Sequence, residues 1–382
     1  MTLSNLGGSL KGVAEDELEF ITDRLTGYLE VDPGLSFQMA AFSGGQLILD
    51  VWGGPDLDGE SLMVPYSVSK NIIGISVGLL VERQALDLDA PVAEYWPEFA
   101  QGGKQGVTVR QLLSHQAGLP DAWPKLSWEE ILDHHSAAER LAASVPVWRP
   151  GSAFGYHAIT IGNLAMELVF RSTGETLHEF YEREIRDPLG ADFYLGLPSG
   201  MESRLEPVKR MVPPLAKYPL PAQNAMRSWV SGTRPGGDLD LANDPRSYRF
   251  GHPAGSAVGS ARGIASLLAS AVTGREGSAP LLSADTVAAI GQQQVRGYDE
   301  VLGQPDRAHS IVFQKPSEKL AWGGPRSFGH DGAMGAVACV DPDTGIAFAY
   351  TISQGPWPGG GDPRAIAIAR EIGTAISSSP SA

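Results

Sequence analysis

The sequence predicts an α+β fold: one antiparallel sheet built from both chain ends and flanked by helices, with a mainly helical insertion between them. Two hairpin patterns point to it. "LSFQMAAFSGGQLILDVWGG" (35–54) sets two apolar runs around Ser43-Gly44-Gly45, and "GAVACVDPDTGIAFAYTIS" (335–353) sets two more around Asp341-Pro342-Asp343-Thr344-Gly345. Helical periodicity fills the stretch between. The expected division is a discontinuous sheet domain, 1–70 with 300–382, and a mainly helical domain, 71–299.

The elements follow in order. Leu18, Ile21, Leu25 and Leu29 recur at helical spacing, so Glu15 to Leu29 is an expected amphipathic helix ahead of the first hairpin. Asn71 to Arg83 is apolar on nearly every side, the pattern of a buried helix. From Asp89 to Thr173 several helical patterns are interrupted by "HQAGLPDAWP" and "VWRPGSAFGY". A Pro/Gly-rich tract, 196–255, lacks periodicity and suits a segment that shapes a pocket. Ser260 is a good N-cap for a helix running to Val272. "FGHDGAMGAVACVDP" reads as a Gly-rich strand from Phe328 to Pro342, a last helix covers Arg364 to Ile376, and "SSSPSA" is an expected disordered tail.

Composition removes several function classes. The chain has 382 residues and a net charge of −15 with eight lysines, which argues against a nucleic-acid partner. No apolar run approaches the ~18 residues of a spanning helix, so no membrane role is expected. The start, "MTLSNLGGSLKGVAEDELEF", lacks the basic and apolar regions of a secretory signal, and a cytoplasmic location is expected. One cysteine, Cys339, leaves no intramolecular disulfide and no Cys-rich metal site.

"YSVSKNIIGISVGLL" (66–80) satisfies two hydrolase signatures with different nucleophiles. Gly74-Ile75-Ser76-Val77-Gly78 matches G-x-S-x-G, but that motif needs a strained strand-to-helix turn, and Ser76 lies inside an apolar helical run. Gly74, Ser76 and Gly78 are better read as small residues that let the helix pack closely. Ser67-Val68-Ser69-Lys70 matches S-x-x-K. Pro65 disfavours helix at the residue before it, so a helix begins near Ser67, where free N–H groups and the dipole favour a developing anion. Lys70 lies on the same face one turn later, and burial there would lower its pKa enough to make it a base. Of the eight lysines, Lys70 alone has a serine three residues before it. A helix-capping Ser67 with a structural Lys70 is the bland alternative at this point.

Two further segments shift the balance. "PGSAFGYHA" places Tyr156 after a Pro-Gly turn, and "FGHDGAMG" follows much later. With "LLSHQAGLP", the set resembles the serine β-lactamase and penicillin-binding-protein superfamily, and within it the class C-like branch that includes family VIII carboxylesterases. The resemblance implies a β-lactamase-like fold with the site between the two domains. It makes Ser67 the acylated nucleophile, with Lys70 and Tyr156 sharing the acid–base work. It places His330-Asp331-Gly332 where the family's third box lines the substrate, and the N–H groups of Ser67 and Ala333 in the oxyanion hole. Trp322-Gly323-Gly324 is an alternative register for that box.

Departures from the family pattern define the expected substrate. The second box, usually Tyr-x-Asn, is Tyr156-His157-Ala158 here. The third box has His330 in place of the usual lysine, with Asp331 beside it. Both changes disfavour β-lactams and favour small or short-chain neutral acyl esters. The implied activity is therefore that of a serine carboxylesterase needing no cofactor and no metal. A β-lactamase, a D-amino-acid amidase or peptidase, and an acyltransferase are the alternatives on the same fold, and a non-catalytic binding protein ranks last. Asp133-His134-His135 lacks the second ligand pair a metal site needs. His115 is expected to be structural, and His157 could tune Tyr156.

Overall fold

The computed structural model describes residues 3–213 and 224–378. Residues 214–223 of the Pro/Gly-rich tract and the tail from 379 lie outside that range.

Seven strands form one antiparallel sheet. They are β1 (Leu3–Leu6), β2 (Leu10–Glu15), β3 (Phe37–Ser43), β4 (Gln46–Gly53), β5 (Phe328–Asp331), β6 (Val337–Asp341) and β7 (Ile346–Ile352), in the spatial order β1-β2-β4-β3-β7-β6-β5. Both expected hairpins are present, and they join along β3 and β7, pairing Ile346 with Ser43 through Ile352 with Phe37. The β1–β2 hairpin was not foreseen. It adds an edge, and it delays helix α1 (Glu19–Val31), which begins after a 3₁₀ turn at Asp16–Leu18 rather than at Glu15.

Side chains alternate across the central strands, and both faces are buried. On one face Met39, Ala41, Val337, Cys339 and Phe348 pack beneath α1 and α5 (Pro363–Ser378), with Ile21, Leu25, Ile368 and Ile372 opposite them. On the other face Ala40, Ala338, Ala347 and Ala349 meet Ile264, Ala265 and Leu268 of helix α4 (Ala261–Val272). This row of alanines lets α4 lie close to the sheet, and Ser260 Oγ caps it by accepting from Gly263 N–H at 3.1 Å. The sheet unit therefore takes in α4, although the expected division put all of 71–299 in the helical domain. The alanine row explains the difference, because it buries enough area only when a helix covers it.

Beyond α4 a helical core surrounds α2 (Lys70–Glu82) and α3 (Thr160–Thr173). Every residue of α2 from Lys70 to Leu80 is buried. A Cβ on Gly74 would stand 2.1 Å from Phe313 Cζ, and one on Gly78 would stand 2.9 Å from Leu282 Cδ1. The glycines of the G-x-S-x-G match are thus packing residues. No described helix is long and apolar enough to cross a membrane.

Overpacking of a tight core costs about 1–3 kcal/mol, against about 1 kcal/mol of helix propensity gained by replacing glycine with alanine. Gly74→Ala is therefore expected to lower the urea unfolding midpoint. An unchanged midpoint would mean that Phe313 moves aside freely.

Candidate active site

Ser67 lies in a 3₁₀ turn, Tyr66–Ser69, that runs directly into α2. The turn begins with strain: Tyr66 has φ +50°, a left-handed conformation costly for an aromatic residue. Ser69 holds it by donating from Oγ to Tyr66 O at 2.6 Å while accepting Ala257 N–H at 3.2 Å. Ser69 is thus a structural hydroxyl. Ser76 Oγ is buried with no hydrogen-bond partner among the described residues.

Lys70 opens α2 and is fully buried. Its Nζ donates to Ala158 O at 2.8 Å and to Ala254 O at 2.6 Å, and it lies 3.1 Å from Ser67 Oγ. Burial pushes the Lys70 amine well below the ordinary lysine range, with the Asp331 charge pulling weakly the other way. A neutral amine has two N–H groups for the two carbonyls and one lone pair for the Ser67 hydroxyl. Lys104 makes the contrast clear. It is also fully buried, but its Nζ donates to three carbonyls, those of Gln101, Ala142 and Ser144, and has nothing to accept.

Tyr156 Oη donates to Ser67 Oγ at 2.9 Å and stands 3.4 Å from His330 Nε2. Burial pushes the phenol up, the Ser67 hydrogen bond opposing it, so Tyr156 is protonated at neutral pH. Its backbone N–H is held by Asp299, whose carboxylate also accepts from Val301 and Leu302 N–H at 2.9 and 2.7 Å. His309 lies nearly parallel to the Tyr156 ring, centroids 5.9 Å apart. Sequence reasoning missed both residues, because they lie some 150 positions downstream with no local motif to mark them.

The other histidines divide clearly. His157 donates from Nδ1 to Gly155 O at 2.6 Å and accepts Leu119 N–H on Nε2 at 2.8 Å, which ties the Tyr156 loop to "HQAGLP". His115 Nδ1 accepts His157 N–H at 3.2 Å, so it too is structural. His135 pairs with Glu167 at 2.7 Å, and Asp133 accepts the His135 and Ser136 N–H groups.

The expected strand from Phe328 to Pro342 is instead the β5–β6 hairpin. Gly332 N–H donates to Ala336 O at 2.8 Å, and Gly335 has φ +105°, so the Asp-Gly pair turns the chain back. Registers run Ala40 to Ala349 to Ala338 to His330, which places His330 on the α4 side of the sheet, facing Tyr156. Asp331 aligns with Val337 on the opposite row, its Oδ2 accepting Gly361 N–H at 2.9 Å. Trp322 packs in the core beneath α1 and α5, so Trp322-Gly323-Gly324 stands away from Ser67.

Ser67, Tyr156, Asp331 and Ala333 line one cavity of about 710 Å³, a size that fits a small-molecule site. Among the described residues, neither Ser67 N–H nor Ala333 N–H donates to a protein acceptor.

Residues 30–371 match the Beta-lactamase family model. The chain belongs to the beta-lactamase family. Among solved structures it is similar to EstA from Arthrobacter nitroguajacolicus Rue61a, 36% identical with a TM-score of 0.88 over 99% of both chains. It is also similar to a family VIII carboxylesterase, 27% identical with a TM-score of 0.85 over 95% of this chain and 99% of that one. The esterase/beta-lactamase LipL of Mycobacterium tuberculosis is 30% identical over 339 residues, 83% of this chain and 77% of LipL. The fold is beta-lactamase-like, and the chain is an enzyme of that family of serine hydrolases.

If Lys70 takes a proton from Ser67, it must do so as the neutral amine. The Lys70 pKa is lowered on folding, so the neutral amine exists above that lowered value and is lost as pH falls through it. Ester kcat/KM is expected to rise with pH along a limb lying below the ordinary lysine pKa. Lys70→Arg should abolish the limb together with most activity, whereas a limb that survives the substitution would assign it to another group.

Proposed function

We propose that the protein is a serine carboxylesterase that hydrolyses small or short-chain acyl esters through a Ser67 acyl-enzyme. One observation carries this reading: Ser67 Oγ sits between the buried Lys70 amine at 3.1 Å and the Tyr156 hydroxyl at 2.9 Å, at the wall of an open cavity. The opposite pKa displacements divide the labour. Lys70, neutral, takes the Ser67 proton as the hydroxyl attacks the ester carbonyl. The N–H groups of Ser67 and Ala333 receive the oxyanion. Tyr156, protonated, donates to the departing alkoxide, and the Lys70 proton then replenishes the phenol. Water enters by the same route in reverse and releases the acid.

Ester rather than β-lactam chemistry is supported by the second and third boxes. Ala158 offers its carbonyl to Lys70 and has no side-chain amide for a β-lactam substituent. His330 donates from Nδ1 to Asp331 O at 2.8 Å, and burial keeps its imidazole neutral at the place where a lysine would meet a drug carboxylate. The similarity to EstA and to a family VIII carboxylesterase supports the same choice.

The test is initial rate on a short chromogenic acyl ester and a chromogenic cephalosporin in parallel. Ester turnover should dominate, and Ser67→Ala should reduce it at least about a thousandfold. Tyr156→Phe should cost about 10²- to 10⁴-fold. Comparable cephalosporin turnover would remove the substrate assignment while leaving Ser67 in place. Full ester activity in Ser67→Ala would remove the mechanism.

A further inference from the structure

The cavity contains a group that neither the fold nor the Ser67 chemistry uses. Arg307 lies on the strand Gln304–His309, which pairs with Val295–Asp299, and it lines the same cavity as Ser67 and Tyr156. The residue is 7% exposed, yet its guanidinium makes no hydrogen bond and no ion pair with any described residue. An arginine stays protonated in proteins, so this is a largely buried charge whose guanidinium opens onto the cavity and meets no protein acceptor among the described residues. An anion entering the cavity would meet this charge directly.

The nearby carboxylates are already engaged. Asp299 accepts the N–H groups of Tyr156, Val301 and Leu302. Asp306 pairs with Arg296 at 2.5 Å and accepts Glu318 N–H at 2.9 Å. The Arg307 charge acts on Asp299 and Asp306 without an ion pair to either, and it is near enough to the reacting groups to act on Tyr156, His309 and His330 as well. The lining also holds Arg227 and Lys319 against Glu318 and Asp331, so cations outnumber carboxylates in this cavity of a chain with net charge −15. That is the reverse of the surface as a whole, and a locally positive cleft concentrates anions.

We infer that Arg307 is the anchor for a carboxylate carried by the substrate, so the preferred esters are half-esters of dicarboxylic acids or esters with an equivalent free acid group. The planar guanidinium suits bidentate capture of a carboxylate, and the low-dielectric wall strengthens the pair. This refines the expectation of a wholly neutral ester, which rested on His330 and Asp331. It depends on the esterase reading for its kinetic consequence but not for its binding consequence.

The experiment has two arms. In the first, kcat/KM is compared for 4-nitrophenyl hemisuccinate and 4-nitrophenyl butyrate, which differ at the far end of the acyl chain. The enzyme should favour the hemisuccinate, and Arg307→Gln should lower the hemisuccinate-to-butyrate ratio at least about tenfold, chiefly through KM, with Arg307→Lys intermediate. In the second, calorimetry measures binding of succinate and of succinamide to the intact Ser67→Ala protein, which needs neither turnover nor a change at Arg307. Succinate should bind and succinamide should not. A ratio unchanged by Arg307→Gln, or equal binding of the two probes, would overturn the assignment. Loss of both ester activities with succinate binding intact would overturn the esterase reading and keep the anion site.

Discussion

The buried amine of Lys70 is the interaction on which the rest of the site depends. It gathers three segments far apart in the chain: the turn at Ser67, the loop at Ala158 and the loop at Ala254. Burial strips a charged ammonium of its hydration at this depth, which displaces its protonation downward even with Ala158 O, Ala254 O and Ser67 Oγ in reach. Two carbonyls consume the two N–H groups of the neutral form, and the remaining lone pair is left to the serine. An amine satisfied in this way carries the free lone pair that the proposed base needs. Lys104, with three carbonyls around it, has its pKa lowered by burial only to about 8 and has no hydroxyl hydrogen-bonded to its amine among the described residues.

The sheet supplies the opposite wall. The cross-strand row Ala40, Ala349, Ala338 ends in His330, so the spacing that seats α4 also aims an imidazole at Tyr156. Tyr156 is fixed from behind by Asp299 and by the His157 bridge to Leu119. Hydrogen bonds with Asp299 and His157 thus hold the Tyr156 loop, while His309 packs on the ring with neither of its nitrogens hydrogen-bonded among the described residues. Arg307 faces the same cavity with no protein acceptor for its guanidinium among the described residues, which leaves it available to a ligand group.

Much of this was legible because the signals are local. Ser67 and Lys70 stand one helical turn apart, and the scarcity of lysine made the pairing conspicuous. Hairpins around Gly44 and Gly345 follow from turn chemistry and apolar alternation. What escaped depends on contacts across long separations. Asp299 reaches back 143 residues to Tyr156, and nothing near it in sequence marks it. His309 and Arg307 sit on a short strand that lacks an apolar pattern, so neither its existence nor its outlook onto the cleft could be read. The region 328–342 misled because its glycines fit a flat strand as well as a hairpin. Only the pairing of Val337 with Asp331 decides between them. The alanine row hid the place of α4 in the same way, since alanine signals neither face of a sheet.

The most direct measurement is active-site labelling. The protein is treated with a fluorophosphonate, its intact mass recorded, and the modified residue located by peptide mapping. The account predicts one adduct per chain, on Ser67, forming faster as pH rises and failing to form in Lys70→Arg. Labelling at Ser76 or Ser69, or none while ester hydrolysis continues, would contradict it.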